Sequence, residues 1–335
     1  MSAGFAPLRP RRALSVRLAA LLACAALAAP PAAFAQAAAP AGDQVVLVST
    51  SDVKGKTVPC GCHIPKGGLA RRAAYVDSLR ALNPATLVLD AGGFFPDAPG
   101  ERDDGPFVAR AMRDLGVDAA GVGVRELSFG LGWFLATVKD AGLSVVCANL
   151  NDRATGKPVV PPSLVLKAGK AKVGVFGLIT DKQALGPAAD SLAVTDPAAA
   201  ARATIAALRK QGATVIVLLS TLGRTETEDL ALAVEGIDVA IASRNVPVLQ
   251  RARKINATTV VMGGEQSHYV GVTALTLDAK GKVADARSDT WMLGPDVRDQ
   301  PAMAARVAEF EARPEVKARR NPPRGTPADT TGAGR

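Results

Sequence analysis

The sequence predicts an α/β fold in which a parallel or mixed sheet is covered by helices. Short apolar runs rich in valine, isoleucine and leucine recur between residues 45 and 293, and amphipathic stretches with helical spacing separate most of them. Alternation of this kind is what strand-helix-strand units require, because parallel strands need a crossover to bring the chain back. The early strands also share an ending, a polar tip followed by glycine, as in D-V-K-G from Asp52 and D-A-G-G from Asp90.

The elements follow in order. V-V-L-V-S-T-S-D (45–52) reads as the first strand and G-G-L-A-R-R-A-A-Y-V-D-S-L-R-A-L (67–82) as a helix. Leu69, Ala73, Val76 and Leu79 share one face of that helix, with Arg71 and Arg72 mostly off it. A strand at 85–93, a helix near 105–115 and a short strand leading into V-G-V-R-E-L-S-F-G (122–130) come next. A helix to about residue 141 and the strand 143–150 complete the first half. Residues 163–180 predict a hairpin that turns at A-G-K-A-K. The alanine-rich helix 197–211 then leads to a strand at 213–221, with a helix over 226–234 behind it. The short runs at 237–243, 257–265, 269–282 and 283–293 suit an antiparallel second sheet, and a helix near 299–312 closes the domain.

The ends read differently. Arg9, Arg11, Arg12 and Arg17 precede an apolar run that finishes in A-F-A-Q, so residues 1–35 are expected to be a signal peptide cleaved after Ala35. The Arg11-Arg12 pair leaves a twin-arginine export route open, and L-L-A-C ending at Cys24 resembles a lipid-attachment box. A linker at 36–44, one domain at 45–313 and a disordered tail at 314–335 complete the expected organisation. No later window has the roughly 18 apolar residues of a membrane helix, so the mature chain is expected to be periplasmic or secreted.

The formal charge of +9 misleads, since the leader carries four arginines and the tail about three net positive charges. The body is then near neutral and has no basic stripe, which argues against nucleic acid as a partner. Glycine pairs at 67, 92 and 263 lack the spacing of a phosphate loop.

Chemistry in sheets of this type gathers beyond the carboxyl ends of the strands. The tips D52-V-K-G, D90-A-G-G, G123-V-R-E, L219-S-T-L-G and I241-A-S-R-N, with the helix start G67-G-L-A-R-R-A-A, resemble the calcineurin-like metallophosphoesterases. In particular they are similar to the catalytic domain of the 5'-nucleotidase (UshA-like) family, from about Val45 to Met292. The resemblance implies a four-layer αββα sandwich with two sheets face to face. It also implies a di-metal site of manganese, zinc or magnesium that hydrolyses phosphoesters.

Most of the ligands implied are missing. Asp52 is the only one retained; Lys54 stands at the first histidine, Gly93 at the bridging aspartate and Val124-Arg125 at the asparagine-histidine pair. Thr221 and Ser243-Arg244-Asn245 fall on the later histidine motifs. With only two histidines after the leader, His63 and His268, the family metal site is expected to be absent. Lys54, Arg125 and Arg244 would instead offer fixed cations to a small oxyanion, with Asp52, Asp90 and Glu126 as pocket carboxylates. Alternatively the three cations are surface charges paired with those carboxylates.

The loop T-V-P-C-G-C-H-I-P-K-G-G (57–68) follows the first strand and is expected to arch over the same pocket. Cys60, Cys62 and His63 are the candidate catalytic residues. Three readings stay open: a metal site, a redox couple, or a structural loop with one cysteine bridged to Cys147 or to a partner. A branch of UshA-like (seleno)proteins is similar at this loop, which implies redox work. The functional expectation is therefore a 5'-nucleotidase-like protein, depleted of metal ligands, that performs thiol redox chemistry or binds a small oxyanion. The alternatives are a metal-dependent phosphoester hydrolase and a non-enzymatic module for a periplasmic electron-transfer partner such as a cytochrome. No C-x-x-C-H motif occurs, so a haem would belong to that partner.

Overall fold

Residues Gln44–Thr50 form the first strand, β1, with six of seven residues buried. The computed structural model describes Met1 and residues 44–320 except Asn245, so the expected leader, nearly all of the linker and the chain beyond 320 lie outside the described residues. In order, β1 is followed by α1 (Leu69–Leu82), β2 (Thr86–Asp90), α2 (Gly105–Asp114), β3 (Ala119–Gly121), α3 (Leu131–Ala141) and β4 (Val145–Val146). Then come β5 (Leu150–Asp152), β6 (Ser163–Ala168), β7 (Ala171–Ile179), β8 (Leu192–Val194), α4 (Pro197–Lys210), β9 (Val215–Thr221) and α5 (Arg224–Ala233). The last elements are β10 (Val239–Ala242), β11 (Arg253–Ile255), β12 (Thr258–Met262), β13 (Tyr269–Leu277), β14 (Val283–Met292), α6 (Pro301–Glu311) and α7 (Pro314–Arg320).

Two six-stranded sheets result, ordered β14-β13-β1-β2-β3-β4 and β11-β12-β10-β9-β7-β6, with a separate β5-β8 ribbon. Val45, Leu47 and Leu89 of the first sheet share a buried core with Val175, Val217 and Ile241 of the second. Ile205 and Leu208 of α4 and Leu230 of α5 cover the outer side of the second sheet against Phe176, Leu218 and Ala240. On the first sheet α1 packs against β2 and α6, and α2 against α3. This is the four-layer αββα sandwich expected.

Three sequence expectations change. The run 237–293 does not make one antiparallel sheet: β10 and β12 are parallel neighbours in the second sheet, while β13 and β14 pair antiparallel in the first. Continuous burial explains the first pair, since strands covered on both faces carry no alternation. The strand expected at 143–150 breaks after Val146 because Cys147 N–H turns to Pro161 O and Ala148 N–H to Gly177 O. The tail expected from 314 begins as the helix α7.

The two sheets converge at the carboxyl ends of their parallel strands. A Cβ on Gly121 would stand 2.5 Å from Ala91 O and 3.1 Å from Leu219 Cβ of the opposite sheet, so only glycine permits the approach. The loops that leave both sheets there, at 51–56, 91–97, 122–130, 221–224 and 243–244, are brought into contact.

Candidate functional site

Those loops enclose a cavity of ≈ 210 Å³. Asp52, Gly93, Asp97 and Arg125 line it from the first sheet, Thr221, Ser243 and Arg244 from the second, and Ser128 and Gln183 complete its wall. Asp52 sits at φ +48°, a conformation its backbone keeps through bonds to Gly92 O (2.9 Å) and from Gln266 N–H (2.7 Å). Its carboxylate accepts the Arg244 backbone N–H at 2.8 Å, and Arg244 itself lies at φ +79°. Ser243 Oγ donates to Gly92 O, and Thr221 Oγ lies 3.1 Å from both Val122 O and Leu178 O. Hydroxyls and a backbone amide thus stitch the sheets together where the family pattern has imidazoles.

The expected cations are all partnered. Arg125 forks onto Asp97 at 2.6 and 2.7 Å and donates from Nε to Phe95 O. Arg244 reaches Leu222 O and Glu226, the latter at 3.3 Å. Lys54 pairs with Glu265 and does not line the cavity. The partners are therefore Asp97, Glu226 and Glu265 rather than Asp52, Asp90 and Glu126. Two lining acids balance two lining arginines, so the cavity is not strongly cationic.

Of the three expected pocket carboxylates, only Asp52 faces the cavity. Asp90 is fully buried, accepts Thr50 Oγ at 2.5 Å and the Gly92 N–H at 2.9 Å, and has Arg72 Nη1 3.9 Å away. Burial pushes its carboxyl up to about 6, with Arg72 acting against that rise. Glu126, also fully buried, accepts the N–H groups of Gly93, Phe94, Phe95 and Gly123 at 2.8–3.1 Å. Desolvation still pushes it up to about 7. Both carboxylates hold loop backbone in place behind the cavity.

Sequence reasoning missed Arg72, which helix periodicity put off the buried face. It is 1% exposed, and its Nε and Nη2 lack hydrogen-bond partners. Its place one turn from the glycine pair, opposite a strand tip ending in Asp90, was the available signal.

The family metals do not fit these residues. Asp52, the position where the resemblance implies a retained ligand, has its carboxylate engaged by the Arg244 amide. A Cβ on Gly93 would stand 2.7 Å from Asp52 Oδ1, leaving no room for the bridging aspartate in this backbone. Among the described residues no three His, Cys, Asp or Glu side chains gather in a group that could hold a metal.

Cys60 and Cys62 form a disulfide with Cα atoms 5.3 Å apart, and Cys147 is a buried free thiol that burial pushes up to about 12. In this structure neither cysteine is bridged to Cys147. Cys62 and His63 are exposed. Cys60 N–H donates to Lys66 O at 2.9 Å and Lys66 N–H lies on Cys60 Sγ at 3.4 Å, which closes the loop on itself.

The loop does not arch over the cavity as expected. Neither cysteine nor His63 lines it; the loop instead leans on the turn at 263–269. Gly67 N–H donates to Leu293 O at 2.8 Å, and the Lys66 ammonium stands 5.8 Å from the Tyr269 ring centre. The connection to the cavity runs through Gln266, whose N–H binds Asp52 O.

No family model matches the chain. It is 25% identical over 290 residues to a snake venom 5'-nucleotidase of Naja atra, covering 79% of this chain and 54% of that protein. It is 29% identical over 273 residues to the trifunctional nucleotide phosphoesterase YfkN of Bacillus subtilis, covering 66% of this chain and 18% of that protein. The chain spans about half the length of the first of these relatives. Among solved structures, a 5'-nucleotidase precursor of Thermus thermophilus superposes with TM-score 0.72 at 26% identity, over 80% of this chain and 58% of that one. The calcineurin-like phosphoesterase YfkN superposes with TM-score 0.69 at 23% identity, over 83% of this chain and 99% of that one. These relatives do not speak to the narrower (seleno)protein branch. On sandwich and relatives together, the chain has the fold of the calcineurin-like phosphoesterases and is similar to the 5'-nucleotidases over about four fifths of its length.

Proposed function

We propose that this chain is a metal-independent thiol-disulfide exchange protein built on a phosphoesterase fold, with Cys60 and Cys62 as its redox couple. One observation carries the reading: a disulfide stands on an exposed loop, with Cys62 open to solvent and Cys60 Sγ under the Lys66 N–H. An incoming thiolate attacks Cys62 Sγ, the Cys60–Cys62 bond breaks and its electron pair leaves on Cys60 as thiolate. The Lys66 N–H is placed to stabilise that leaving group. A second thiol of the donor then attacks the donor sulfur of the mixed disulfide. This releases Cys62 as thiolate and leaves the donor oxidised by two electrons.

The leader expected at 1–35 would carry this chemistry to an oxidising compartment, where an external dithiol or disulfide must be its partner. Because each cation at the cavity already has an acidic partner, the reading rests on the thiols and not on oxyanion binding.

The test is turnover of an aryl disulfide with a small dithiol in excess. The wild-type chain should accelerate the transfer and Cys62→Ser should abolish it; equal rates for the two would sink the reading. A second reading, phosphoester hydrolysis, is favoured by the names of the relatives. Aryl phosphate with added manganese separates the two: no turnover is expected, and a melting temperature unchanged by chelator should accompany it. Manganese-dependent turnover would reinstate the hydrolase.

A further inference from the structure

Six large apolar side chains between residues 44 and 320 are exposed, two of them in the disulfide loop and two beside Tyr269, which that loop touches through Lys66. Val58 (41% exposed) and Ile64 (48%) flank Cys60 and Cys62 in the loop. Met292 (38%) is the register partner of Tyr269, the residue whose ring carries Lys66. Val248 (37%) and Tyr269 meet over Gly264: a Cβ there would lie 2.3 Å from one side chain and 3.5 Å from the other. Lys66 thus links the exchange loop, with its two exposed apolar side chains, to the exposed apolar side chains around Tyr269.

The rim of this face is basic. Lys56 and Lys66 make no ion pair among the described residues. The nearby carboxylates are spent internally, Glu265 on Lys54, Asp299 on Arg71 at 3.9 Å and Glu311 on Thr57 and Arg320.

We infer that this face docks a soluble protein dithiol whose reactive cysteines lie in an apolar surface with an acidic border. The inference rests on the exchange reading above. Apolar contact at the centre with opposite charge at the rim is the arrangement that raises encounter rates and aligns a partner. Here it would bring the partner's thiolate onto exposed Cys62.

The probe is an acidic thioredoxin in its reduced form, compared with dithiothreitol, each reducing the disulfide of the full chain in stopped-flow. The double variant Ile64→Ser with Met292→Ser should slow thioredoxin by about tenfold. Lys56→Glu should slow it and flatten its salt dependence. Dithiothreitol rates should stay unchanged in both variants. Equal losses with both reductants, or no loss with thioredoxin, would overturn the docking face while leaving exchange itself intact. Failure of dithiothreitol to reduce the wild-type chain would instead remove the exchange reading. If the double variant abolished binding to phosphatidylglycerol vesicles and spared the thioredoxin rate, the face would meet lipid, and the proposal would be wrong.

Discussion

Asp52, Gly93 and Arg244 meet at the cavity in left-handed backbone, with the Asp52 carboxylate accepting the Arg244 N–H. In that frame the family's bridging aspartate cannot simply be restored. Gly93→Asp would place a side chain at φ +75° and within 2.7 Å of Asp52 Oδ1, adding both strain and like charge. Urea denaturation should show a loss of about 1–3 kcal/mol, unrelieved by manganese. A variant as stable as wild type would refute the steric account of the missing ligand. Glu126 makes a second prediction at this scale. Its folded-state pKa, about 7, lies above the ordinary 4.5, so the folded chain holds that proton more tightly than the unfolded one. The stability it contributes is full below pH 4.5 and is lost as pH rises through about 7, and Asp90 adds a loss of the same sign up to about 6. Melting temperature followed between pH 4 and 8 should therefore fall less across that window in Glu126→Gln than in wild type; parallel curves would contradict the assignment.

The element that matters most is the loop between β1 and α1. It enters by the Leu69 N–H bond to Thr57 O and is pinned by Gly68, whose φ of +96° and approach to Pro59 exclude a side chain. Gly68→Ala would press a methyl group to 2.9 Å from Pro59 Cδ. A loss of about 1 kcal/mol follows, together with trypsin cleavage after Lys56 or Lys66 earlier than in wild type. Unchanged cleavage would mean that the loop is not held by this contact. The same loop shows why element positions were legible and contacts were not. A continuous apolar run marked β1, buried on both faces, and apolar periodicity marked α1, each to within two residues. Which neighbour the loop would lean on depends on β13 and β14, some 200 residues later, and no local pattern encodes that.

At the scale of the whole molecule the sandwich was readable from alternating strands and helices. Sheet membership of β10 and β12 was not, because continuous apolar runs suit a buried strand in either sheet. Charge pairing was also hidden: Asp97, Glu226 and Glu265 lie in other loops or helices than Arg125, Arg244 and Lys54, and only folding brings each to its cation. Folding leaves a neutralised cavity at the convergence of the sheets and an exposed disulfide on a loop that does not line it, and the proposed chemistry lies at the disulfide. The most direct measurement is alkylation of the native chain after mild dithiothreitol, with the modified cysteines located by mass. The account predicts labelling of Cys60 and Cys62 while Cys147, buried and held as a thiol, reacts only after unfolding. Resistance of Cys60 and Cys62 until the chain unfolds, or simultaneous labelling of all three cysteines, would contradict it.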